Sequence, residues 1–292
     1  MKTFESNIIN IYGDIGRKWL SDLSYMVSDL ALRWHLLDLR PVDNLSYNYV
    51  LSGFQQEIRP IILKLGLDIR GLHTEGLALK AFKNNGAVKL LDQANGALLL
   101  ERAIPGHSLK QFFPNHDDEA MIIASDVIRK LHHTPRSNIR DFPTINNWLI
   151  SLNSNHAMLG QYLPKAQILR DELIKTMDTP ILLHGDLHHD NILSDGNEWK
   201  VIDPKGVIGE VAYDVGCFIR NPLKDLPNHP DCLRIIMNRV NGFSRQLHLD
   251  ADRILKWCFI QSVLAVVWAL EDNTDPTNFQ DLIAIFDKLM VQ

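Results

Sequence analysis

The change of texture at Ile104-Pro105-Gly106 constrains this chain more than any other feature. Before it, short β-prone runs alternate with turn chemistry: WHLLDL, YVLSGF, PIILKLG, AVKLL and ALLLERAI. The Asn95-Gly96 pair between the last two is a strong hairpin signal. After the change, apolar residues recur with a helical period, as at Ile123, Val127, Ile128 and Leu131 over 118–133. The same reading expects helices at about 145–153 and 163–177, and from about 211 to the end. One amphipathic helix over 13–31 carries Trp19, Leu20, Leu23, Met26, Val27 and Leu30, and one helix over Thr74–Lys83 interrupts the strands. The pattern predicts an α+β fold with a β-rich lobe over 1–103 and a larger, mainly helical lobe over 104–292.

Composition narrows the class. Apolar residues make up 46% of the 292, enough to bury a core, so wholesale disorder is excluded. Thirty Lys+Arg against thirty-five Asp+Glu gives a net charge of −5, with no basic stripe, which disfavours a general nucleic-acid binder. Cys217, Cys232 and Cys258 are too scattered for a disulfide framework or a CxxC site and read as thiols in a reducing compartment. The first twenty residues lack a long apolar run. Ile254–Leu270 is the most apolar stretch. Lys256, Gln261 and Ser262 interrupt it, so it reads as a core helix rather than a membrane span. The expectation is a cytoplasmic protein with neither nucleic acid nor membrane as partner.

The densest polar cluster is LLHGDLHHDNIL, residues 182–193. Two β-prone runs follow, Ile192–Ser194 and Trp199–Ile202, separated by Asp195-Gly196-Asn197-Glu198. They predict a hairpin with Asn191 just before it and Asp203 just after it, facing one another across its mouth. An amide oxygen and a carboxylate placed so suit a hard cation such as Mg²⁺. Asp186, five residues upstream, can reach that mouth from the other side. A carboxylate beside an Asn/Asp magnesium site is what phosphoryl transfer needs: the metal neutralises phosphate charge, and the carboxylate orients the attacking hydroxyl and accepts its proton. The spacing H-x-D-x-x-x-x-N, then Asp beyond a hairpin, is the kinase arrangement.

The HGDLHxxN form of this loop resembles the aminoglycoside phosphotransferase family. YDVGCFIRNPL after IDPKG, and WALEDN near the C-terminus, resemble its streptomycin 6-kinase/hydroxyurea phosphotransferase subgroup. The resemblance spans roughly residues 40–275 and is most specific in the catalytic loop. It implies a bilobal protein-kinase-like fold, ATP and Mg²⁺ as cofactors, and Asp186 as the catalytic residue. It also implies a strand lysine for the α- and β-phosphates, held by a helical glutamate, which points to Lys64 and Glu75. Alone, these two also fit a snorkelling lysine and a carboxylate favoured at a helix N-terminus. By resemblance, the Glu101 carbonyl and the Ala103 amide are candidates for holding adenine, His184 braces the metal-binding segment, and Asp214 holds the catalytic-loop backbone. Asp214 also reads as a helix N-cap. The turn Asp43–Asn48 stands where a glycine-rich phosphate loop is expected, and no G-x-G-x-x-G is present.

The implied acceptor is a small hydroxyl compound, streptomycin-type aminoglycosides first. Asp190, Glu271 and Asp272 are candidates for an acidic wall around a cation. Three rivals stand beside this: a kinase of an ordinary amino alcohol or sugar, a zinc-dependent hydrolase built on His184, His188 and His189, and a non-catalytic nucleotide-binding protein. The histidine spacing does not match H-E-x-x-H, and the kinase residues are all present. His188 and His189 have no assigned role at this level.

Overall fold

The computed structural model describes residues 2–56, 58–134 and 140–291. They form two compact units, one made of residues up to Asn84 with Val88–Ile104, the other of Asn85–Ala87 with Pro105 onward.

Alternation along RPIILKL organises the N-terminal unit. In β3 (Arg59–Leu65), Ile61 and Leu63 point to one face and Lys64 to the other, as a two-residue period requires. β3 is the middle strand of an antiparallel sheet. Its neighbours are β2 (Tyr49–Gln55) and β5 (Ala97–Glu101), and the edges are β1 (Leu36–Pro41) and β4 (Leu90–Ala94). The Asn95-Gly96 turn joins β4 to β5 as expected, with Gly96 in the left-handed region at φ 72. Leu51, Ile61, Leu63, Leu65 and Leu99 meet Leu30 and Trp34 of α1 (Lys2–Trp34) in one core. α1 is longer than the expected 13–31. Gly13 breaks it with φ 56, and Phe4 and Ile8 of the first segment pack with Leu23 of the second.

α2 (Ile69–Ala81) starts five residues earlier than the sequence suggests. Asp68 caps it by accepting the Gly71 amide at 2.8 Å. The two glycines, Gly71 and Gly76, lower helix propensity here and hide the start. Glu75 therefore sits inside the helix rather than at its beginning, and α2 shares its unit with α1.

In the C-terminal unit the helices are α3 (Asp117–His132), α4 (Ile145–Leu149), α5 (Tyr162–Lys175), α6 (Val211–Ile219), α7 (Cys232–Leu247), α8 (Ala251–Glu271) and α9 (Thr277–Leu289). Most of α8 is buried in this unit, as a core helix should be, although its length and hydropathy would suit a membrane. All three cysteines are free and buried. The strands are β6 (Pro105–Ser108), β7 (Ile181–Leu183), β8 (Ile192–Asp195), β9 (Glu198–Val201) and β10 (Val207–Gly209). β6, β8 and β9 form one small sheet, β7 and β10 another. The three-residue β7 and β10 fall below what periodicity can reveal.

Candidate active site

Two pairings hold the segment 184–191. β7 pairs with β10 before and after it, Leu183 opposite Val207, and the β8–β9 hairpin follows directly. The His184 carbonyl accepts the Lys205 amide at 2.8 Å, and the Asp186 carbonyl accepts the His188 amide at 3.0 Å. Gly185 has φ 85, and a Cβ there would lie 2.8 Å from the Trp148 ring, so the residue between His184 and Asp186 must be glycine on both counts.

His184 is fully buried and saturated. Its Nε2–H donates to the Ile202 carbonyl at 2.8 Å, and its Nδ1 accepts the Asp186 amide at 3.2 Å. Burial lowers its pKa to about 4, so the ring is neutral. The Asp214 carboxylate accepts the backbone amides of His184 (2.9 Å) and Gly185 (2.8 Å). Asp214 lies within α6, whose N-cap is Glu210, so the N-cap expectation is corrected. Burial raises its pKa to about 7, against the two amide hydrogen bonds.

Asp186 is half-buried. Burial opposes its charge, but the neighbouring His188, Lys205 and Arg220 outweigh burial and hold the carboxyl below its ordinary range. Its Oδ1 accepts from the Cys217 thiol at 3.6 Å, and its Oδ2 lies 3.9 Å from His188 Nε2. Burial pushes the Cys217 thiol up, which keeps it a donor. Cys217 and Arg220 escaped the sequence reading. With Tyr213 they follow i, i+4, i+7 spacing, which puts them on one face of α6, and that spacing was the available signal.

Asn191 is buried and donates its Nδ2 to the Asp186 carbonyl at 2.9 Å, which leaves the acceptor oxygen Oδ1 for a cation. The hairpin register differs from expectation. Ile192 faces Val201 across a two-residue Gly196-Asn197 turn, so Asn191 stands opposite Ile202, whose amide it binds at 3.0 Å. Asp203 comes one residue later, in the left-handed region at φ 58, which is uncommon outside glycine. The two side chains supply oxygen donors, which fits a hard cation and not zinc. The three histidines diverge: His184 is saturated, His188 Nδ1 accepts the Asp190 amide, and His189 stacks on Phe218 at 3.9 Å. That geometry removes the zinc-hydrolase reading.

In the N-terminal unit, Lys64 Nζ donates to both Glu75 oxygens, at 2.9 and 2.7 Å, with only 2% and 6% of the two residues exposed. A lysine so buried is not snorkelling. Glu101 ends β5, where its Oε2 accepts the Lys89 amide at 3.1 Å, and Ala103 is buried two residues on. The turn 43–48 is tied to α1 by Asn7 Nδ2, which donates to the Ser46 carbonyl at 3.1 Å. Asp190 accepts the Ser108 hydroxyl at 3.2 Å and lies near Lys110, whose own ion pair is with Asp225 at 2.9 Å. Glu271 and Asp272 are exposed at the end of α8.

His189 gives a pH prediction. It is fully buried, its Nδ1 has no hydrogen-bond partner, and burial first, then Arg239, hold its pKa well below 6.5. Its folded pKa is depressed, so its contribution to stability is present above the unfolded pKa and lost as pH falls below it. At pH 5 the wild type is therefore less stable than at pH 8 on account of this ring. His189→Phe should gain stability relative to the wild type as pH falls from 8 to 5. Urea unfolding at the two pH values measures it, and a constant difference would contradict it.

Residues 33–273 match the family described as aminoglycoside/hydroxyurea antibiotic resistance kinase. The streptomycin 3''-kinase of Klebsiella pneumoniae is 33% identical over 202 residues, covering 64% of this chain and 72% of that one. The streptomycin 6-kinase of Streptomyces griseus is 23% identical over 276 residues, covering 89% and 87%. Among solved structures, the amicoumacin kinase hAmiN, in complex with AMP-PNP, Ca²⁺ and Ami, superposes with TM-score 0.69 at 16% identity over 92% of this chain and 93% of that one. The fold is thus protein-kinase-like.

Proposed function

The chain belongs to the aminoglycoside/hydroxyurea antibiotic resistance kinase family, and we propose that it phosphorylates one hydroxyl of a streptomycin-type aminoglycoside with ATP as donor, in the cytoplasm. It is a phosphotransferase with an alcohol group as acceptor. The observation that carries the mechanism is the ionised Asp186 carboxylate, fixed by Cys217 on a loop closed by β7–β10 pairing, with Asn191 bonded to its own carbonyl.

Asp186 accepts the hydrogen bond of the substrate hydroxyl, aligns its oxygen for in-line attack and takes the proton as the bond to phosphorus forms. Its lowered pKa makes it a weak base, which suits a loose transition state in which the proton leaves late. Lys64, held by Glu75, positions the α- and β-phosphates. Asn191 Oδ1 and the Asp203 carboxylate would hold Mg²⁺, which neutralises phosphate charge when bound. The backbones of Glu101 and Ala103 take the adenine. His184 and Asp214 keep the loop backbone in place through the hydrogen bonds described above.

Three observations support the acceptor: the similarity to streptomycin kinases, the net charge of −5, and the exposed Glu271 and Asp272. Replacing Glu271 by alanine should raise the KM for streptomycin about fivefold, the worth of an exposed ion pair near 1 kcal/mol, and leave the KM for ATP unchanged. If both constants move together, Glu271 is structural. An ATP-consumption screen across aminoglycosides, hydroxyurea and small amino alcohols tests the assignment. Streptomycin should stimulate turnover most, and stimulation by an amino alcohol alone would replace it with a metabolite kinase.

A further inference from the structure

α8 is buried along almost its whole length, yet Trp268 in its last turn is 36% exposed. Nothing in the folding of the helix calls for a large aromatic at an exposed position. The indole meets Trp148 edge to face, with centroids 6.2 Å apart and rings at 77°. Trp148 in turn lies so close over Gly185 that a Cβ there would be 2.8 Å from its ring, and Gly185 precedes Asp186. The two rings thus form a wall that begins at the catalytic loop and runs outward to solvent. Glu271 stands one turn beyond Trp268 on the same side of the helix, with Asp272 next to it.

We propose that Trp268, backed by Trp148, is the specificity-determining surface for a guanidinium group of the acceptor. A π-face attracts a cation, and a planar guanidinium can stack on an indole while its N–H fork pairs with a carboxylate. An ammonium can do only the first. The wall offers both elements, the indole face and the carboxylates of Glu271 and Asp272, to one planar cation. Trp148 acts as a positioning residue, since it is the ring against the loop. The inference rests on the streptomycin-type acceptor proposed above, a guanidino-bearing aminocyclitol.

Steady-state kinetics with streptomycin and with ATP, on the wild type, Trp268→Ala and Trp268→Phe, test it, with melting temperatures as a control for folding. Loss of the ring should raise the KM for streptomycin about tenfold, the effect of about 1.4 kcal/mol, while the KM for ATP stays within twofold. Phenylalanine, which keeps a π-face, should restore most of the loss. Equal streptomycin KM in the wild type and the alanine variant would overturn the wall and leave the proposed function standing. A wild type that does not phosphorylate streptomycin would overturn the proposed function and the wall with it.

Discussion

Asp186→Asn lowers turnover at least about a thousandfold, within the range seen when a positioned proton acceptor is lost, and leaves ATP binding intact. The amide keeps the shape of the carboxylate and can still accept from Cys217, but it cannot take the hydroxyl proton. The surrounding backbone bonds do not involve the Asp186 side chain: Asp214 and His184 hold the loop through its amides. The variant should therefore fold normally and bind an ATP analogue with the wild-type Kd. Retained turnover, measured by acceptor-dependent ADP release, would exclude Asp186 from the chemistry. The same experiment settles the rival of a non-catalytic nucleotide-binding protein, for which wild type and variant would be indistinguishable.

The second large effect concerns Lys64. Lys64→Met leaves the Glu75 carboxylate buried without its main cation, and breaking a buried pair in this way costs about 3–5 kcal/mol. Replacing both partners removes that penalty. Lys64→Met/Glu75→Leu should regain stability to within about 1 kcal/mol of the wild type, because an apolar pair of similar volume is often neutral. Activity should return in neither, since the phosphate-holding cation is absent from both. Denaturant unfolding alongside kinetics separates the two roles. Activity in the double variant would show that the pair is only structural.

Chemistry was more legible in the sequence than geometry. HGDLHHDN names the candidate residues because residue type and spacing carry that information without coordinates. Lys64 was legible because an ionisable residue inside an apolar run must find a partner, and its strand register turns it to the α2 face. The hairpin register was off by one. Runs at 192–194 and 199–202 centred between 196 and 197 pair Asn191 with Ile202, as the structure does, and Asp203 falls one residue beyond. Glu75 was placed at a helix start because two glycines masked the first turn of α2. Cys217 reaches Asp186, with Arg220 behind it on the Cys217 sulfur, through tertiary packing of α6, which no local pattern in the loop encodes. The wall of Trp148 and Trp268 joins α4 to α8 across more than a hundred residues of chain, so it had no local signature either.

Transfer of a phosphoryl group from ATP to a streptomycin hydroxyl leaves a direct signature in phosphorus NMR of a reaction containing the wild-type protein, ATP, Mg²⁺ and streptomycin. The expected result is a new phosphomonoester resonance coupled to a streptomycin carbon-bound proton, growing in step with ADP and absent with Asp186→Asn. ATP consumed to free inorganic phosphate, with no phosphomonoester on the acceptor, would contradict it.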